Sequence, residues 1–349
     1  MKKVASLAVV LILLVFVGQV SAAEYTGRKV EAKFASEEIE GDFMTVWGNH
    51  FADAMKKWSD GKINIIVYPY GTLGDTRDIN ELCQIGVVDF VYSDFAWISS
   101  FVPQAQALAL HYIWPREKIA EVLEWVVKNG EFMKLLEEKF RHNGLVPLGI
   151  AYEGWQWITS KRPIHSVSDM EGLKVRLMSS KLLVENYKAY GASPTPMSYG
   201  EVYSGLQMGL IDAQVNPMFA DYSMKFYEVQ DYFTQIWAEP FLGIPTVNMV
   251  FFNSLPKNAQ KKMRRFWADA IVRAGKWIDE RNAHDMEKIK KERPEVKFTE
   301  MSDEQIKGFK EKAKTVYPKF VEIGGEDAGK VLETLLNDVK KAKAALGVK

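Results

Sequence analysis

The chain reads as an α/β protein built in two lobes, and three observations carry that expectation. Apolar, β-branched runs alternate with helical stretches, which is the spacing of βα units. Residues 24–349 are more than a single hydrophobic core usually holds. Strand material near Leu145–Ile158 and again near Val247–Phe252 has the character of segments that leave one lobe and return, and a long charged amphipathic stretch then follows, able to brace both.

The elements follow in order. Met1-Lys2-Lys3, the apolar run Val4–Val17 and the small residues Ser21-Ala22-Ala23 form a secretory leader cleaved after Ala23. Its apolar core is short for a membrane span, and no cysteine lies near the cleavage site to take a lipid. An exported chain without a lipid anchor is expected. Lys29–Phe34 alternates as a first strand, and Asp42–Ser59 carries Phe43, Val46, Trp47, Phe51, Met55 and Trp58 at helical spacing. The turn Asp60-Gly61 precedes the strand Lys62–Tyr68, rich in isoleucine and valine as a buried parallel strand should be. A helix over Asp75–Ile85 stops at Gly86, and Val87–Tyr92 supplies a third strand of a largely parallel sheet. Helices are expected over Trp114–Asn129, Gly130–Asn143, Pro256–Glu292 and Ala328–Leu346, with a capping box at Ser302–Gln305. The expected division is residues 24–153 with 242–281 in lobe I, and residues 154–241 with 282–349 in lobe II.

Charge excludes some functions. Lysine plus arginine equals aspartate plus glutamate at 45 each, and loss of the leader removes Lys2 and Lys3 and no acid. The chain therefore has no electrostatic footprint for nucleic acid. Cys83 is the only cysteine, so no disulfide can form within the chain, and its apolar neighbours make it a buried, inert thiol. The 5 histidines are scattered without a metal-binding spacing, and no nucleophile elbow is present. Gly324–Lys330 imitates a phosphate-binding loop, but Val331 stands where a magnesium-binding hydroxyl is needed, and Glu326 and Asp327 sit inside the supposed anion cradle. Neither an enzyme, nor a cofactor, nor a metal is expected.

The stretch Glu171–Pro217 is the most informative. Arg176 lies within the apolar run Leu173, Val175, Leu177 after a turn at Gly172. A desolvated arginine needs an anionic partner, and its planar fork suits a carboxylate. That partner is either a ligand or a structural acid, Asp169 or Glu171. Ser198-Tyr199-Gly200-Glu201 has the form of a capping box, and Asp212, Gln214 and Asn216 cluster where a later strand ends.

The runs GLKVR (Gly172–Arg176), GASPTPMSYGEVYSGLQMGLIDAQVNP (Gly191–Pro217) and YPYGTLGDTRD (Tyr68–Asp78) resemble the substrate-binding proteins of tripartite ATP-independent periplasmic (TRAP) transporters, the DctP-like family. The resemblance implies a two-lobed periplasmic binding protein fold, with crossover strands as hinge, closing over an organic acid. It also implies partners, the small and large integral subunits of a membrane permease driven by a sodium gradient. By the same resemblance Arg176 matches the family's carboxylate clamp, Asn216 its assisting amide and Tyr199 an aromatic wall. Asp94 and Trp97 fall on ligand positions with Phe95 beside them.

Two departures narrow the expected ligand. Gln156 stands where many members carry a second arginine, and Val215 where an acid often precedes the asparagine. Strand parity puts Trp155 and Trp157 on the face opposite Gln156, so that both pack in the lobe core if Gln156 faces the cleft. Trp155 is otherwise a further flat wall. Glu37, after the first strand, or Asp94 is placed to accept an ammonium group. The expected ligand is thus an aromatic monocarboxylate or an aromatic amino acid, such as tryptophan or an indole acid. An aliphatic C4 acid, a sugar acid and a sensory role with a signalling partner are the alternatives.

Overall fold

Residues 25–348 are described by a computed structural model of the chain, and the leader lies outside them. The first strands are β1 (Val30–Ser36), β2 (Ile63–Tyr68), β3 (Phe90–Asp94), β4 (Leu145–Pro147) and β5 (Ala151–Trp155). Then come β6 (Trp157–Ser160), β7 (Lys174–Leu177), β8 (Ser193–Pro196), β9 (Ala213–Asn216) and β10 (Tyr232–Gln235). β11 (Pro240–Asn248) and β12 (Lys297–Glu300) complete the set. One 6-stranded sheet has the order β2-β1-β3-β11-β4, with β5 also paired to β11, and the other 6-stranded sheet runs β12-β10-β6-β9-β7-β8.

Both sheets are mixed. β1 pairs in parallel with β2 and β3, as the βα spacing requires, but β11 enters antiparallel between β3 and β4. In the second sheet β7 is parallel to β8 and β9, whereas β6 is antiparallel to β9 and β10. In the first sheet the expectation of largely parallel pairing holds only for the opening βα units, because a strand returning from the other lobe arrives from the opposite end.

Helices α1 (Phe43–Trp58), α2 (Thr76–Gln84), α3 (Phe95–Ile98), α4 (Ile119–Asn129) and α5 (Phe132–His142) belong to the first half. The second contributes α6 (Lys181–Ala189), α7 (Val202–Gln207) and α8 (Met218–Ser223). After β11 come α9 (Met249–Ser254), α10 (Lys257–Glu292), α11 (Lys307–Lys314), α12 (Tyr317–Ile323) and α13 (Ala328–Leu346). α1 buries Phe43, Trp47, Phe51 and Met55 at the predicted spacing. The helix expected from Trp114 begins only at Ile119, after Lys118 takes a left-handed φ of 53°.

The chain passes between the sheets where β5 runs into β6 and where β10 runs into β11. Gly154 takes a φ of 116° at the first passage, a conformation that suits glycine. The two passages lie side by side: the Gln156 amide donates to the Glu239 carbonyl at 3.2 Å. α10, 36 residues long, spans both lobes. Near its start Arg264 donates to Glu137 at 2.7 Å and to the Pro147 carbonyl at 3.2 Å. Just past its end Arg293 donates to the Tyr227 carbonyl at 2.6 Å and to Asp231 at 3.2 Å.

Two expectations are corrected. α13, assigned with residues 282–349 to lobe II, packs on α4 and α5. Asp338 there accepts the Phe132 amide at 2.8 Å, and Lys118 donates to the Leu346 carbonyl at 3.0 Å. An amphipathic pattern names a buried face but not the surface that buries it. Ser198 forms no capping box with Glu201. Its hydroxyl turns to Asp75 on the opposite lobe at 3.4 Å, and a short 3-10 turn precedes α7.

Candidate functional site

β1, β7 and β9 end toward one small interlobe cavity, as ligand sites in open α/β sheets do. Glu37 and Glu38 line it from the end of β1, and Arg176 and Met178 from the end of β7. Tyr199, Asn216, Phe219 and Phe241 close the remaining walls, with Pro217 and Ala220 between them. The positions predicted at Arg176, Asn216, Tyr199 and Glu37 thus meet in one place.

Arg176 is 1 % exposed. Its Nε donates to the Met197 carbonyl at 3.0 Å, while neither terminal nitrogen has a partner among the described residues. The alternative of a structural ion pair fails. Asp169 accepts the His165 and Ser166 amides at 2.9 Å each, and among the described residues no ion pair involves Arg176. Burial lowers the guanidinium pKa to about 10, opposed by Tyr199, Asp94 and Glu37. Such a group stands ready for an anion.

Asn216 donates to the Gln214 side chain and thereby holds its own amide in the cavity wall. Gln214 in turn donates to Thr159 and Asp221, so the polar network at the end of β9 persists although Val215 is apolar. Tyr199 is buried, its ring edge-on to Tyr70 at 5.8 Å and to Phe226 at 6.1 Å, with its hydroxyl unpartnered.

The other predicted residues lie around this cavity without lining it. Asp94 caps α3, accepting the Ala96 and Trp97 amides at 2.6 and 3.0 Å, and its own amide donates to Glu37 at 2.7 Å. Phe95 is enclosed in the core. Trp97 is buried with its indole N–H unpartnered, as are both amide atoms of Gln156. Trp155 packs edge-on to Trp237 at 5.7 Å, and Trp157 joins a separate cluster with Met218, Phe233 and Ile289. Both tryptophans pack, but Trp155 ends β5 in one sheet and Trp157 opens β6 in the other, so strand parity across Gln156 does not relate them.

Glu38, Met178, Phe219 and Phe241 were not singled out from the sequence. Phe219 could have been, since it follows two residues after the asparagine-proline pair. Phe241 comes from the returning strand, and only the tertiary fold brings it here.

The acids at the end of β1 are unusual. Burial, then the Asp94 charge, pushes Glu37 well up. Burial pushes Glu38 to about 8 and Asp94 to about 6. Among the described residues no cluster of side chains has the makeup of a metal site, and no helix is long and apolar enough to cross a membrane. The arrangement offers one end for a carboxylate, one for a hydrogen-bond donor or cation, and apolar walls between.

Comparison with known proteins agrees with this geometry. Residues 34–323 match the bacterial extracellular solute-binding proteins, family 7 (DctP). The ectoine-binding periplasmic protein TeaA of Halomonas elongata is 34% identical over 312 residues, covering 89% of this chain and 91% of that one. The ectoine/5-hydroxyectoine-binding periplasmic protein UehA of Ruegeria pomeroyi is 32% identical over 307 residues, covering 88% and 90%. The solved structure of the ectoine-binding protein of the TeaABC TRAP transporter superposes with a TM-score of 0.84, over 89% of this chain and 100% of that one.

Proposed function

The chain belongs to the DctP-like solute-binding proteins of TRAP transporters, and from that premise we propose that it captures a compact zwitterionic carboxylate and hands it to a membrane permease. It is a periplasmic solute-binding protein and not an enzyme. Small and large integral permease subunits are the partners this reading requires, and residues 1–23 are the leader that exports the chain.

The single observation that carries the reading is the polarity of the cavity. The unpartnered terminal nitrogens of Arg176 lie at one side, and the buried carboxyls of Glu37 and Glu38 lie at another. A second carboxylate on the ligand would face these acids, which disfavours C4 diacids. A solute with one carboxylate and one positive group satisfies both sides, as does ectoine, the solute named for TeaA and UehA. Tyr199, Phe219 and Phe241 add flat apolar walls, which favour a ring between the two charges. Tryptophan, an aromatic amino acid, is the larger member of the same class and the second reading. Indole acids share the ring but lack the positive end.

Capture needs no covalent step. The closed form must bind solute better than the open one for the population to shift. Titration calorimetry with ectoine, tryptophan, indole-3-acetate, succinate and galacturonate tests the proposal. Zwitterions should bind and the others should not. Binding of succinate or galacturonate alone would overturn it.

A further inference from the structure

β1 runs into two adjacent buried acids, Glu37 and Glu38, and both line the cavity. Glu37 meets Asp94 at the end of β3, and Glu38 meets Glu153 on β5, each pair within hydrogen-bond reach of its carboxyls. All four are buried, Glu153 and Asp94 completely. Glu153 is let in by Gly243, where a Cβ would collide with its Oε1.

A carboxylate can only accept hydrogen bonds. Two facing carboxyls therefore require a proton between them, and like charges so close cannot both ionise. The Asp94 amide serves Glu37, the Ala96 and Trp97 amides serve one oxygen of Asp94 and the Met44 amide serves Glu38, but the other Asp94 oxygen and both oxygens of Glu153 have no donor among the described residues. Arg176 on β7 faces the Glu37 pair. Asp42, itself paired with Arg281 of α10 at 3.6 Å, faces Glu38. Tyr92 stands beside Glu153, and Tyr70 and Tyr199 edge the cavity, all as neutral phenols. The guanidiniums of Arg176 and Arg281 face five carboxyls, Asp42 included, which leaves protons stored there.

We propose that the pairs Glu37–Asp94 and Glu38–Glu153 store protons that the positive end of a bound solute expels, so that capture is coupled to proton release. This rests on the zwitterion reading above. The positive group approaches Glu37 and Glu38 from the cavity, a carboxyl O–H bond breaks, and the proton passes to solvent. No electrons are exchanged. Affinity for such a solute therefore rises with pH, by roughly tenfold per unit for each proton released. For the Glu38 proton the rise ends near about 8, its value in the free protein, because above it no proton remains to be expelled.

Infrared spectroscopy of the ligand-free protein at pH 7 should show a protonated-carboxyl absorption, diminished in Glu153→Gln. Addition of ectoine should reduce that absorption. Calorimetry in phosphate and in Tris should then differ by about one proton per binding event. Absence of the absorption in the ligand-free protein, or its persistence unchanged in the saturated complex, would overturn the proposal. Failure of ectoine to bind would count against the zwitterion reading alone, and the ligand-free absorption would still decide whether the protons are there.

Discussion

The Tyr70 hydroxyl accepts the Gly200 amide proton at 3.1 Å, so that one hydrogen bond joins the two lobes across the mouth of the cavity. Tyr70 follows β2 in the first sheet, and Gly200 lies in the turn that carries Tyr199. The bond can form only when the lobes are shut, and it is therefore part of closure. In Tyr70→Phe the ring packing on Tyr199 stays and the bond is lost. A neutral hydrogen bond contributes about 0.5–1.5 kcal/mol, so solute affinity should fall about two- to tenfold. Stopped-flow measurement should place most of the loss in faster dissociation.

Arg176→Ala should abolish most binding. Removing one partner of a buried charge pair costs about 3–5 kcal/mol, or roughly 100- to 3000-fold in affinity. Among the described residues the guanidinium has no anionic partner in contact, so the melting temperature of the ligand-free variant should stay near that of the parent. Calorimetry with ectoine and a thermal melt check the two halves separately. Near-parental affinity would refute the clamp.

The buried acids make the ligand-free chain more stable in mild acid. Burial raises Glu38 to about 8 and Asp42 and Asp94 to about 6, against an ordinary carboxylate value near ~4. The folded state thus holds more protons than the unfolded state over that interval, and stability falls as pH rises through it. Calorimetric melts should give a higher melting temperature near pH 5 than near pH 8. A flat or opposite trend would show that these carboxyls are ionised in the fold.

Asn282 of α10 joins three parts of the structure. Its side chain donates to the Glu153 carbonyl at 3.2 Å and accepts the Phe219 amide at 2.8 Å, next to the first passage between lobes. Asn282→Ala leaves both groups unpaired, at a cost of about 1–3 kcal/mol. Urea denaturation should report the loss as a lower midpoint, with solute affinity also reduced because Phe219 lines the cavity.

The thiol of Cys83 is fully buried, which pushes its pKa up. A thiol reagent should leave it unmodified in the native protein and react only after denaturation.

Arg176 was legible in the sequence because a charge inside an apolar strand needs an explanation that few other residues do. Asn216 and Tyr199 came from the resemblance rather than from their surroundings. Glu38 stayed hidden because nothing beside Glu37 in the sequence marks it, and only the tertiary fold brings Glu153 of β5 against it. The antiparallel entry of β11 left no local mark, since an apolar run reads alike in either direction. Ser198 shows the same limit: its spacing to Glu201 suits a cap, but Asp75, far away in sequence, receives its hydroxyl.

The position of β11 bears on the order of assembly. Synthesis and export deliver the amino-terminal part first, yet β11 sits between β3 and β4. A nascent chain that has emerged only to residue 239 holds an unfinished sheet with an apolar gap at its centre. It must wait in a collapsed, protease-sensitive form until residues 240–248 follow. A fragment that stops short of them should be cleared by quality control instead of surviving as half a receptor.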